Sequence, residues 1–142
     1  MKRRAFVGAL MALAAIGKVR AQPAQEALRE LTAGAQVRPG RVKLVIPRLA
    51  DNGHSVPLEV AVESPMTATD HVKSIVLLSD RNPRPVIARF HLGPHSGRAE
   101  VTTRVRLNGS QQVTAVAQLS DGSYWSATAQ VEVTESACLD MS

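Results

Sequence analysis

Residues 99–107 read Ala-Glu-Val-Thr-Thr-Arg-Val-Arg-Leu. In an extended chain Val101, Thr103, Val105 and Leu107 share one side, and Thr102, Arg104 and Arg106 share the other. Alternation with period two, branched apolar against charged or polar, predicts a β-strand with one face in a core and one in water. Asn108-Gly109 follows at once, a pair that accepts the positive φ of a tight hairpin turn. Beyond the turn the pattern resumes with Val113, Ala115, Ala117 and Leu119.

The same signal repeats in both directions. Upstream, Val42, Leu44 and Ile46 alternate with Arg41, Lys43 and Val45. Val56, Leu58, Val60 and Val62 alternate with Pro57, Glu59 and Ala61. Val72 to Ser79 is a third run, and Pro85 to Leu92 a fourth, with Val86, Ala88, Phe90 and Leu92 on one side and Arg89 and His91 on the other. Residues 99–107 are the fifth, the run from Val113 the sixth, and Trp125, Ala127, Ala129, Val131 and Val133 mark a seventh. Turn residues separate them: Asp51-Asn52-Gly53, Arg81-Asn82-Pro83, Leu92-Gly93-Pro94, Asn108-Gly109 and Asp121-Gly122. The fold class expected is all-β, a β-sandwich of about seven strands over residues 41–134. A Cys–Trp–Cys framework of the antibody kind is absent from the sequence, which leaves other immunoglobulin-like sandwiches open.

Residues 22–40 read as a short helix and linker. Pro23 suits a first helical turn, Ala27, Leu28 and Leu31 share a face, and Gly34 suits a left-handed end. The helix is expected to flank one end of the domain, with Arg38-Pro39-Gly40 turning the chain into the first strand. Only 3% of residues are aromatic, so the core rests on Val, Leu, Ile and Ala, and a partner that buries more apolar surface is expected.

The formal charge is +5, which by itself suggests nucleic acid. Residues 1–21 account for it: they hold Lys2, Arg3, Arg4, Lys18 and Arg20 and no acid. Without them twelve basic residues face twelve acidic ones, and no electrostatic footprint for DNA or RNA remains. The same stretch has the layout of a signal peptide, a basic start and an apolar run from Ala5 to Gly17, with Val19-Arg20-Ala21 before a cleavage point near Ala21. The run is shorter than the roughly 20 residues of a membrane span. Arg3-Arg4-Ala5-Phe6-Val7 also resembles a twin-arginine motif, with Lys2 where Ser or Thr is usual. The mature chain is expected in the periplasm with no membrane segment, by either the twin-arginine or the general secretory route.

The residue singled out for chemistry is Cys138, the single cysteine of the chain. A lone cysteine in an exported protein cannot close an internal disulfide, so it is a reactive thiol, an intermolecular link or an incidental residue. It stands beyond the last strand, on an arm over 135–142 expected to be flexible. No phosphate loop, nucleophile elbow or zinc-ligand spacing appears, so no cofactor, metal or catalytic residue is expected. His91 and His95 are four apart, but Gly93-Pro94 between them breaks any helix, and His54 and His71 are isolated. Arg104 and Arg106 read as a solvated face or an interface rim, and Trp125 as core or partner-facing packing.

Several stretches together resemble the SoxY family of periplasmic sulfur oxidation. They are Val42 to Pro57, with Asn52-Gly53 before Val56-Pro57; Glu63-Ser64-Pro65-Met66 followed by His71 to Ile75; Asn82-Pro83-Arg84-Pro85 and the strand after it; Thr103 to Leu107 followed by Ser110 to Val113; and Ala117 to Ser123. The resemblance covers residues 42–134. It implies an immunoglobulin-like domain paired with a SoxZ-like subunit, and a C-terminal cysteine that carries sulfur intermediates covalently. A Sox c-type cytochrome, a hydrolase and a sulfane dehydrogenase would act on that cargo, so the subunit itself is not an enzyme. Cys138 takes the carrier position. The family's arm reads Gly-Gly-Cys-Gly-Gly, whereas this one reads Ser136-Ala137-Cys138-Leu139-Asp140-Met141-Ser142. Leu139 adds bulk beside the thiol, and Asp140 adds a charge that raises the thiol pKa and repels anions. That departure leaves a second reading from another class, a diverged binding subunit that pairs without carrying sulfur. An unrelated adhesion-type or chaperone-like sandwich ranks third.

Overall fold

The computed structural model describes residues 22–134. The leader over 1–21 and the arm over 135–142, Cys138 included, lie outside the described residues.

The helix α1 spans Pro23–Thr32, and its amphipathic face is the one expected. It stops before Gly34 because Ala33 already adopts φ 52°, and the Gly34 N–H caps the Arg29 carbonyl at 3.1 Å. Nine strands follow: β1 (Val37–Pro39), β2 (Val42–Val45), β3 (Leu49–Ala50), β4 (Val56–Val62), β5 (Val72–Ser79), β6 (Val86–His91), β7 (Glu100–Val105), β8 (Gln111–Leu119) and β9 (Tyr124–Val133), with a single 3-10 turn at Pro94–Ser96. The seven expected strands are all present. The two additional ones are β1 and β3, each too short to show a period, and each pairs in parallel with β9.

The strands form two facing sheets, β1-β9-β8-β5-β6 with β3 added beside β9, and β2-β4-β7. In β4 the alternation is obeyed to the residue, with Val56, Leu58, Val60 and Val62 buried and Pro57 and Glu59 exposed. These pack against Val72, Ile75, Leu77, Val113, Ala115, Ala117 and Leu119 of the larger sheet. Burial of such side chains stabilises by about 1.5–3 kcal/mol each relative to exposure. Phe90 and Trp125 only edge onto this core, so it is aliphatic, as the low aromatic content requires.

The outer face of the larger sheet is covered as well. Val76 and Leu78 of β5 and Val116 of β8 are buried under Ala27, Leu28 and Leu31 of α1. The helix therefore lies across a sheet face and does not cap one end of the domain. A strand covered on both faces carries an unbroken apolar run, which explains Ile75-Val76-Leu77-Leu78.

Two bulges alter which side chains share a face. In the β5–β6 pair Leu77 opposes Ala88 while Leu78 opposes Val86, so Ile87 is the extra residue. Ile87, Ala88 and Phe90 face the main core and Val86 faces the helix. The expected single face of Val86, Ala88, Phe90 and Leu92 is thus broken at Val86, because one inserted residue reverses the parity behind it. A second shift between Val72 and Ser74 lets Val72 and Ile75 both point inward.

Candidate functional site

The last described residue, Thr134, is the root from which the Cys138 arm leaves, and it is held firmly. Glu132 N–H donates to the Arg48 carbonyl at 2.8 Å, and Thr134 N–H to the Ala50 carbonyl at 3.0 Å. The Thr134 hydroxyl donates to the Asp51 carbonyl at 2.7 Å. On the other side Val133 N–H donates to Ser110 Oγ at 2.9 Å. Both flanks of these final described residues are paired.

Beside the root sits a buried polar hub. Ser79 and Gln111, exposed by 1% and 3%, share a short side-chain hydrogen bond. Gln111 Nε2 donates to Asn82 Oδ1 at 3.2 Å and to the Gly109 carbonyl at 3.2 Å. Asn82 Oδ1 also accepts from Asn108 N–H at 2.8 Å, while Asn82 Nδ2 donates to the Arg106 carbonyl at 2.7 Å. Ser79 Oγ accepts from Asn82 N–H at 2.9 Å. Every described buried side-chain polar atom has a partner, which is what lets a polar cluster stiffen an apolar fold. The hub ties the β5–β6 turn to the β7–β8 turn, and Arg81 Nη1 extends it to the Ser110 carbonyl at 3.1 Å.

Where β6 and β7 face each other across the sandwich edge, the sheets leave an open cleft of about 440 Å³. Ile87, Ala88 and Val105 form its apolar part, and Arg84, Arg104 and Arg106 stand around it. All three arginines are exposed. Arg104 Nη1 donates to Ser55 Oγ at 3.3 Å. Among the described residues the one ion pair within 4 Å is Arg98–Glu100, so none of the three has a carboxylate partner there. Arg104 and Arg106 do share a face, as expected, and the fold adds Arg84 to them from the turn before β6.

At the opposite edge Trp125 is half-buried against the core, with the Arg41 guanidinium 4.9 Å and that of Arg38 5.9 Å from the ring centroid. Trp125 Nε1 donates to Ser123 Oγ at 3.1 Å, and Ser123 donates from both N–H and Oγ to Asp121, at 2.8 and 2.6 Å. Those two bonds, with a smaller contribution from Arg41, hold the Asp121 carboxyl below its ordinary range.

The histidines do not converge. His54 follows the Asp51–Gly53 turn, His71 lies in the loop before β5 with Nδ1 3.1 Å from the Thr67 carbonyl, His91 ends β6, and His95 is in the 3-10 turn. Among the described residues no group of three or more His, Cys, Asp or Glu is placed to hold a metal. Sequence reasoning missed the Ser79–Asn82–Gln111 hub. Its signal was Gln111, a polar residue on the inward parity of Val113, Ala115 and Ala117.

The sequence matches the model of the family described as sulfur oxidation protein SoxY over residues 28–138. A search of curated proteins finds no matching relative. Among solved structures, the sulfur carrier protein SoxY from Chlorobium limicola f thiosulfatophilum superposes with a TM-score of 0.65 at 24% identity, covering 78% of this chain and 94% of that one. A superoxide reductase (neelaredoxin) from Ignicoccus hospitalis gives 0.59 at 20% identity, covering 66% and 80%. A putative superoxide reductase from Thermotoga maritima gives 0.58 at 21% identity, covering 70% and 89%. These likenesses are of fold, and fold alone does not fix function.

Proposed function

The chain belongs to the SoxY family of sulfur oxidation proteins, and from that premise we propose that it is a periplasmic sulfur-carrier subunit of thiosulfate oxidation. It holds sulfur intermediates covalently on Cys138, pairs with a SoxZ-like subunit and leaves the chemistry to partner enzymes. The observation that carries this reading is the extent of the family match, which runs from within α1 through the sandwich to residue 138, the cysteine itself.

The chemistry fits a carrier. A thiolate is the reactive form of cysteine, and burial would disfavour it. Joining thiosulfate to a thiol forms an S–S bond, loses the thiol proton and releases two electrons. An oxidant is therefore required, and a Sox cytochrome fills that role in the family. Hydrolysis of the outer sulfonate and oxidation of the remaining sulfane sulfur likewise belong to the Sox hydrolase and the sulfane dehydrogenase. The carrier needs a firm base and a cysteine set beyond it. The double-sided pairing up to Thr134 supports the first requirement.

Pairing with a SoxZ-like subunit is supported by Val45 and Leu49, the two large apolar side chains that stand out as exposed among the described residues, at 48% and 58%. With Val45, the residues Ile46, Pro47 and Pro57 line a groove of about 350 Å³, and clustered apolar surface of this kind marks a protein contact. The leader over 1–21 supports export to the periplasm.

One observation favours the binding-subunit alternative, in which the chain pairs but no longer carries sulfur: Leu139 and Asp140 stand beside Cys138 where the family has glycines. The deciding experiment is intact-protein mass spectrometry of the mature chain from sulfur-grown cells, with and without reductant. The carrier reading expects reductant-sensitive adducts of sulfur or thiosulfate mass on Cys138, and their loss in Cys138→Ser. A bare thiol under those conditions overturns it and leaves the binding subunit.

A further inference from the structure

The arginine cleft between β6 and β7 lies at the end of the sandwich from which the arm departs. The link is traceable bond by bond. Val133 is bonded to Ser110, Ser110 accepts from Arg81, and Asn82, next in sequence, both lines the cleft and holds the Arg106 carbonyl. In the larger sheet β9 and β6 are separated by β8 and β5, three strand spacings or about 14 Å. Asp140 follows Thr134 by six residues, and a chain of that length spans about 20 Å when extended. The arm can therefore reach the cleft.

Its composition also complements the cleft. Residues 135–142 hold Glu135 and Asp140 and no basic residue. They include Leu139 and Met141 as large apolar side chains. The cleft has an apolar floor at Ile87, Ala88 and Val105, three arginines around it and no carboxylate in its lining. Leu139-Asp140 is an apolar residue joined to an acid, which matches a floor joined to a cationic rim. The bulge at Ile87 turns that side chain inward, where it lines the cleft.

We propose that the cleft between β6 and β7 is a docking site for the chain's own C-terminal segment, with Leu139 on its floor and Asp140 among Arg84, Arg104 and Arg106. The docking is an intramolecular equilibrium that weakens with salt. The proposal concerns where the arm rests and holds whether or not Cys138 carries sulfur.

The single cysteine allows a direct test. A nitroxide label on Cys138 of the full ¹⁵N-labelled chain quenches amide signals near it. Docking expects preferential loss at Val86–Ala88 and Arg104–Arg106, with the Asp51–Asn52 turn, which adjoins the arm root, retaining more signal. Arg104→Glu with Arg106→Glu should abolish that preference, and adding Asp140→Arg should restore it. Replacing Leu139 and Asp140 by Ser, outside the folded sandwich, should abolish it too. Even quenching over the whole end of the sandwich, or a pattern indifferent to these exchanges, overturns the proposal. So does quenching of an unlabelled-nitroxide ¹⁵N chain by a second, nitroxide-bearing copy, which would make that copy the occupant. The readout needs no sulfur cargo, so its failure is separate from a failure of the carrier reading in mass spectrometry.

Discussion

At one lateral edge of the sandwich the chain runs from β1 to β2 to β3, crossing from the larger sheet to the smaller and back, and Trp125 fills the space behind it. At the other edge β6 and β7 stand over a cleft with no comparable side chain to plug it. Arginines line both, but in different states. All five are exposed, but Arg38 and Arg41 lie over an indole ring, and among the described residues no ring lies under Arg84, Arg104 or Arg106. The difference follows from the composition. A chain with one tryptophan can seal one edge of an aliphatic sandwich with that ring, and the other edge keeps an open cleft.

The largest effect should come from breaking the sealed edge. Trp125→Ala removes the ring, the stacking partner of two guanidinium groups and the donor to Ser123, and should cost about 2–4 kcal/mol. Denaturant unfolding followed by circular dichroism checks this, and a loss under about 1 kcal/mol would mean the two edges do not differ in packing. Next comes the frame of the open edge. Gln111→Leu strips Ser79 of its acceptor and Asn82 of a donor in a buried setting, at about 1–3 kcal/mol. The same variant should speed hydrogen exchange at the Asn108 amide, which Asn82 holds. The smallest and sharpest contrast is between arginines. Arg41→Ala should cost about 0.5–1 kcal/mol through the lost cation–π contact, while Arg104→Ala should stay within about 0.5 kcal/mol of the parent. Equal costs would erase the distinction.

Much of this fold is readable in the residues, and the parts that are not have definite causes. Residues Val56 to Val62 announce their strand because one face is core and the other water. Residues Ile75 to Leu78 announce only burial, since the helix covers the second face, and the run alone does not say what covers it. The bulge at Ile87 is invisible to periodicity: the sequence around it alternates acceptably, and only pairing with Leu77 and Leu78 shows the reversed parity. Leu49–Ala50 is too short for any pattern and is a strand because β9 offers it an edge. For the candidate site, the sequence singles out Cys138 by its number and position, and that residue lies outside the described residues. The gathering of Arg84, Arg104 and Arg106 around one cleft was not legible, because it depends on the turn before β6 being laid over the end of β7.

The two short parallel pairings have one more consequence. β9 is the longest strand, and on the side away from β8 it is met by Val37–Pro39 near its start and by Leu49–Ala50 at its end. Only Ala127–Val131 is left without a ladder partner there. A long free edge is a template on which further chains polymerise. Here the edge is divided into pieces too brief to seed a cross-β stack, so a ten-residue strand is guarded against edge-to-edge pairing on this side by segments that add only Ala50 to the buried core.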